Sequence, residues 1–355
     1  MKPVVAVLFG GVSSEHEISL LSAASILKNF PFDRYEPVLI GITKEGRWLY
    51  YTGEADALPE GRWEAGPCMP AFITPDRGVH GFLYQTPGGW AQKRLDAVFP
   101  VLHGKNGEDG TIQGLLELAN IPYVGCGVLG SAVCMDKAVA NQLMEQNGIP
   151  RCEWAHITRA DLAGLADILP KLEQKLGYPI FVKPANAGSS VGISKAVDRP
   201  ALEKAVALAF QHDDRVVFER FVDGQEVECA VIGGDAAEAS LPGEILSSAD
   251  FYDYEDKYLS GSSTTAIPAR LPPEKLEEVR ALAVKAYRAL CCRGLSRVDF
   301  FVERATGRVL LNEINTLPGF TSISMYPKLM TQAGRSYQGL IAELIGLALG
   351  EEAAS

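Results

Sequence analysis

The strongest constraint on what this chain can fold into lies in RVDFFVERATGRVLLNEINTLPG, residues 297–319. Residues 297–302 alternate polar and apolar side chains, and residues 309–315 do so in part. Ala305-Thr306-Gly307 between them suits a three-residue hairpin closure, because glycine takes the left-handed conformation at the last loop position. That hairpin sets Asp299 opposite Glu313 and Arg297 opposite Asn315, all on one face of the ladder. Two facing carboxylates, about 5 Å apart, repel unless a proton, a cation or a strong base neutralises them. Arg297 can do part of this. Asp299, Glu313 and Asn315 also form an all-oxygen donor set, and with no His or Cys nearby the pattern favours magnesium over zinc.

Such a site needs a folded protein around it, and the bulk properties agree. A chain of 355 residues exceeds a typical single core, so two or three domains are expected. A hydrophobic fraction of 47% with 22% charged residues describes a globular chain. The formal net charge of -11 argues against a nucleic-acid partner. No apolar run approaches the roughly 18 residues of a membrane span. MKPVVAVLFGG is too short for a signal segment, and the seven cysteines form no CxxC pair or zinc spacing. Reduced thiols in a soluble, cytoplasmic protein are the expectation.

Residues 4–9 form a continuous apolar run that opens onto Gly10-Gly11, as a buried parallel strand does. Ser13 and Ser14 are candidate caps for the following helix, with Glu17 as capping-box partner of Ser14. Strand-like runs at 38–40 and 97–99 alternate with helical segments, which predicts a doubly wound α/β domain over residues 1–121. The Gly- and Pro-rich stretch 52–89 reads as an excursion from that sheet. Residues 136–147 predict a helix ended by Gly148 and Pro150. Strands at 180–182 and 216–218 bracket a helix begun by Pro200, and a long helix is expected over 273–290. The back of the chain thus reads as α+β, divided into 122–219 and 220–352.

A metal site of this kind calls for a phosphate cradle, and KPANAGSSVG (183–192) supplies one. Lys183 ends a strand, and the small residues after it leave backbone N–H groups open to an anion. It is not a Walker loop, because the lysine precedes the glycines. Lys137 opens a helix, where the macrodipole also favours an anion. Glu219, Phe221, Val222 and Glu226 suit an adenosine pocket, with Glu226 on the ribose hydroxyls. Gly10-Gly11 lacks the GxGxxG pattern of a Rossmann dehydrogenase.

In this order, Lys137, KPANAGSSVG, ERFVDGQEVE, RVDFF and NEINTLPG resemble the ATP-grasp enzymes. GGVSSEHEISL (10–20), HGKNGEDGTIQG (103–114), FYDYEDKYLSG (251–261) and NTLPGFTSISMYPKL (315–329) narrow the resemblance to the D-alanine–D-alanine ligase family, over nearly the whole chain. It implies an ATP-grasp fold with a Rossmann-like first domain, ATP as substrate, and two magnesium or manganese ions. Potassium activates some family members, and homodimers are common. The first D-alanine's carboxylate attacks the γ-phosphate, and the second's amine attacks the resulting acyl phosphate.

By resemblance, Glu15 and His103 belong to the first D-alanine subsite, and Lys257, Ser324 and Met325 to the second. Lys137, Lys183, Ser189, Ser190, Phe251, Lys257, Asn312 and Glu313 serve the nucleotide. Arg297 and the Gly319 N–H steady the tetrahedral oxyanion, and Ser189 ties down a lid that carries Tyr258. Relatives that make D-alanyl-D-lactate carry histidine where this chain has Tyr258, which favours an amine acceptor. D-lactate and D-serine ligases of the same fold are the alternatives.

Overall fold

The computed structural model describes residues 1–188, 191–246 and 264–351. Its first sheet contains β1 (Val4–Gly10), β2 (Glu36–Ile42), β3 (Trp48–Tyr51), β4 (Cys68–Ile73), β5 (Gly81–Thr86), β6 (Gly89–Arg94) and β7 (Ala97–Pro100), ordered β6-β5-β4-β3-β2-β1-β7. β1 runs parallel to both β2 and β7. Its continuous apolar sequence has a simple cause: both faces are covered. Val5, Val7 and Phe9 pack with Leu20, Ala23 and Ile26 of α1 (His16–Lys28), while Ala6 and Leu8 pack with Ile112 and Leu116 of α2 (Thr111–Ala119).

Two expectations fail in this region. The stretch 52–89 is no excursion. β3 to β6 extend the same sheet antiparallel, and Trp63 between β3 and β4 is fully buried against Phe9, ring centroids 5.0 Å apart. Gly41 makes room for it, since a Cβ there would lie 2.4 Å from the indole. Glycine and proline in this stretch mark turns between strands, and one deeply seated aromatic anchors the whole. Nor do Ser13 and Ser14 cap α1. Glu15 occupies the cap position without a side-chain bond, Ser13 Oγ accepts from Glu15 N at 3.1 Å, and Glu17 pairs with Lys44.

The middle of the chain holds α3 (Val128–Met135), α4 (Lys137–Gln146), β8 (Trp154–Thr158), α5 (Leu165–Leu176), β9 (Ile180–Pro184), β10 (Ser194–Ala196), α6 (Arg199–Ala209) and β11 (Arg215–Arg220). Its sheet is antiparallel, ordered β10-β9-β11-β8. Asp136 caps α4 as its type favours, accepting from Ala138 N and Val139 N. The last sheet runs β15-β14-β12-β16-β17, with β13 also paired to β12. It comprises β12 (Gly224–Gly233), β13 (Glu238–Ala239), β14 (Gly243–Leu246), β15 (Thr264–Ala266), β16 (Gly294–Glu303) and β17 (Val309–Asn315). The expected long helix is α7 (Pro273–Ala289); α8 (Met325–Gln332) and α9 (Tyr337–Leu349) follow. α9 returns to the first sheet, where Leu340, Ile341 and Leu344 join the cluster of Val5, Val7 and Phe9.

The hairpin of β16 and β17 pairs Asp299 with Glu313 and Arg297 with Asn315, as the alternation implies. Its closure differs. Glu303 N bonds Arg308 O at 2.9 Å, so the loop has four residues, 304–307, with Gly307 at φ +68. The register slips by one between Asp299 and Phe300, which sets Phe300 opposite Leu311. This bulge absorbs the extra loop residue and leaves Asn312 and Glu313 together at the edge of a cleft.

Candidate active site

A cavity of about 620 Å³ lies between the second and third sheets. Lys137, Lys183, Glu219, Phe221, Val222, Glu226, Asn312, Glu313 and Asn315 line it, so the sequence-derived nucleotide residues with described positions share one cleft. Ser189, Ser190, Phe251, Lys257 and Tyr258 lie outside the described residues.

The cleft floor is ionic. Lys183 at the end of β9 and Glu219 on β11 stand on adjacent strands, and Lys183 Nζ reaches Glu219 Oε2 at 2.6 Å. Arg151, 3% exposed, takes Oε1 at 3.0 Å and lies over the Trp154 ring. Burial alone would raise the Glu219 carboxyl, but Lys183 and Arg151 outweigh it and hold it down at about 2. For Lys183, burial opposes the charge, yet Glu219 and Glu313 prevail and raise its pKa. Glu219 is therefore the counter-ion of Lys183, with one cation on each oxygen, and it lines the cleft. Lys137, at the first turn of α4, reaches across to the loop after β9, donating to Ala187 O at 2.7 Å, and lies 3.8 Å from Glu313.

Three carboxylates stand in a row across the last sheet: Glu228 on β12 faces Asp299 on β16, which faces Glu313 on β17. Arg297 explains how two of them coexist. It grips Asp299 with Nε and a terminal nitrogen at 2.8 and 2.7 Å, and its Nε lies 2.9 Å from Glu228. Asn315 Nδ2 donates to Asp299 at 3.0 Å. Among the described residues no three His, Cys, Asp or Glu side chains converge on one metal position. Asp299, Glu313 and Asn315 fit a hard cation that completes its shell with water or phosphate oxygens, because each offers a side-chain oxygen from paired positions on one ladder. Sequence reasoning missed Glu228, although the alternation of Glu226 and Glu228 along a strand was its signal.

A second cluster meets the cleft from the first sheet. Glu15 is buried beneath two glycines: a Cβ on Gly104 would lie 2.4 Å from Glu15 Oε2, and one on Gly188 2.9 Å away. His103 has both ring nitrogens engaged, Nδ1 donating to Leu317 O at 3.0 Å and Nε2 meeting Ser22 Oγ at 3.0 Å. Burial lowers its pKa. Glu108, to which the sequence reading assigned no role, accepts from Gly104 N at 2.8 Å and Leu317 N at 3.1 Å. Ser324 Oγ accepts from Thr321 N at 3.0 Å. Met325 is buried in the core of the first sheet and does not line the cavity described above.

Two antiparallel α+β units facing each other across a lysine-lined, acid-rimmed cleft, beside a first sheet with a parallel β2-β1-β7 centre, define the ATP-grasp fold. Family models described as D-ala D-ala ligase N-terminus and C-terminus match residues 4–126 and 143–346. The chain is 51% identical to a D-alanine–D-alanine ligase of Acetivibrio thermocellus, over 98% of this chain and 96% of that one. It is also 51% identical to one of Caldicellulosiruptor bescii, over 97% and 94%. The crystal structure of VanG D-Ala:D-Ser ligase from Enterococcus faecalis superposes with a TM-score of 0.89 at 41% identity, covering 98% of this chain and 100% of that one. This chain belongs to the D-alanine–D-alanine ligase family and is an ATP-dependent ligase.

Proposed function

We propose that the enzyme joins two D-alanines into D-alanyl-D-alanine for peptidoglycan precursors, through D-alanyl phosphate and a tetrahedral intermediate, releasing ADP and phosphate. The observation that carries this reading is the approach of Glu15 to Gly188. A carboxylate suited to an amino acid's ammonium then lies against the end of a loop suited to phosphates. An amino acid held there has its own carboxylate beside the γ-phosphate, which is the geometry of acyl phosphate formation.

In this reading Lys137 and Lys183 hold the phosphates, Phe221 and Val222 the base, and Glu226 the ribose. Asn312 and Glu313 lie at the phosphate end. Asp299, Glu313 and Asn315 hold two magnesium or manganese ions, whose chemistry is to neutralise charge on the phosphate oxygens. Arg297 and the Gly319 N–H receive the oxyanion of the tetrahedral intermediate. Ser189, Lys257 and Tyr258 act from the lid, and Ser324 takes the second carboxylate by turning from Thr321. Tyr258 supports an amine acceptor. Residues 1–121, 122–219 and 220–352 are the domains, and a cytoplasmic homodimer belongs to the same reading.

The test measures phosphate release from ATP and magnesium with D-alanine alone, with added D-lactate and with added D-serine, identifying products by mass. D-alanyl-D-alanine from D-alanine alone is expected. Predominant depsipeptide or D-alanyl-D-serine would overturn the second-substrate assignment, and no release would overturn the whole reading. The same assay with sodium in place of potassium reads monovalent-cation activation.

A further inference from the structure

Residues 317–320 form the turn that leaves β17, and four of its backbone atoms, the N and O of Leu317 and of Phe320, are held by side chains of the loop after β7, of α1 and of α9. Glu108 Oε1 accepts from Leu317 N at 3.1 Å. His103 Nδ1 donates to Leu317 O at 3.0 Å. Ser22 Oγ accepts from Phe320 N at 3.3 Å while meeting His103 Nε2 at 3.0 Å. Tyr337 from α9 donates to Phe320 O. The apolar side chains are anchored as well: Leu317 packs against Gly125, and the Phe320 ring meets those of Phe99 and Tyr326 at 5.8 and 5.6 Å. Pro318 has no N–H to offer. Gly319, half-buried between these two clamped residues, keeps an N–H with no protein partner among the described residues.

We propose that Glu108, with His103 and Ser22, is a positioning device that aims the Gly319 N–H at the reacting carbonyl. The inference rests on the reading of Gly319 as an oxyanion donor. A hydrogen bond to a transition state gains from preorganisation, and a turn free to rock would forfeit it. His103 and Glu108 lie on the same loop as Gly104, which roofs Glu15, so the first-substrate subsite and the oxyanion donor share one support. Glu108 also bonds Gly104 N, which locks that loop to itself. Glu108 and Ser22 need not touch substrate to act this way.

Glu15, Cys134 and Arg297 are the ionisable groups that act on Glu108, and His103 grips the same peptide. Burial raises the Glu108 carboxyl to about 8, so the test is made at pH 9, where both oxygens are acceptors. Glu108→Gln keeps the size and turns an amide donor toward one of the two N–H groups. Its kcat should fall by about 10–100-fold, with KM for ATP unchanged. The ratio of phosphate released to dipeptide formed should rise from about one to above two, as acyl phosphate is lost to water. Ser22→Ala, which spares Glu108, should lower kcat by about 3–10-fold with the same pattern, and it decides the matter if Glu108→Gln does not fold. An unchanged kcat, or a raised KM for D-alanine with kcat retained, overturns the inference while the parent enzyme still makes dipeptide. No dipeptide from the parent enzyme overturns the reading beneath it.

Discussion

Lys183 Nζ lies 2.6 Å from one oxygen of Glu219, and Arg151 holds the other oxygen at 3.0 Å. A buried carboxylate thus keeps a cation at the cleft floor ready for phosphate, and retains a partner of its own when Lys183 moves. Lys183→Met should weaken ATP binding about 10–100-fold, the scale of one charge-assisted hydrogen bond. Calorimetric titration with ATP checks this, and an unchanged affinity would remove Lys183 from the cradle.

Glu313 stands between Lys137 and the row formed by Asp299 and Glu228. Glu313→Gln keeps its volume and removes one charge from the oxygen donor set. Half-saturating magnesium should rise about 10–100-fold, with turnover reduced even at saturation. Activity measured across a magnesium series reads this directly. A parent-like magnesium requirement would refute the metal assignment.

Trp63 is fully buried against Phe9 and Tyr51. Trp63→Ala should cost about 3–5 kcal/mol of stability, the usual scale for deleting a core aromatic, while leaving ATP affinity intact because the residue is not part of the cleft lining. Chemical denaturation and calorimetry separate the two effects. A variant as stable as the parent would mean that this stretch carries no core.

Burial and the Glu15 carboxylate hold the Glu108 pKa at about 8, against 4.5 for an ordinary glutamate. Between those values the folded chain keeps a proton that the unfolded chain has lost. Stability from this group is therefore full below pH 4.5 and declines as pH rises through 8. Glu108→Gln has no such proton. The melting temperature of the parent minus that of the variant should fall steadily from pH 5 to pH 9; a gap independent of pH would show that Glu108 is ionised throughout.

What the sequence determined by itself is what short-range chemistry controls. The β16–β17 ladder brought Asp299 to Glu313 because alternation along adjacent strands leaves few registers, although the four-residue loop and the bulge at Asn312 cancelled each other unseen. The helix over 136–147, with Lys137 at its start, was legible for a local reason: Asp136, which the structure makes its cap, bonds only two and three residues ahead. Linear spacing could not show the contacts between distant segments. Glu108 meets Leu317 across 209 positions, and Glu15 meets Gly188 only because α1 and the β9 loop are carried on different sheets that pack together. Trp63 read as loop for the same reason: its burial depends on Phe9 and Gly41, which the first sheet places beneath it. Register and caps are local free-energy choices, whereas the closure of the site is a property of how the three sheets pack.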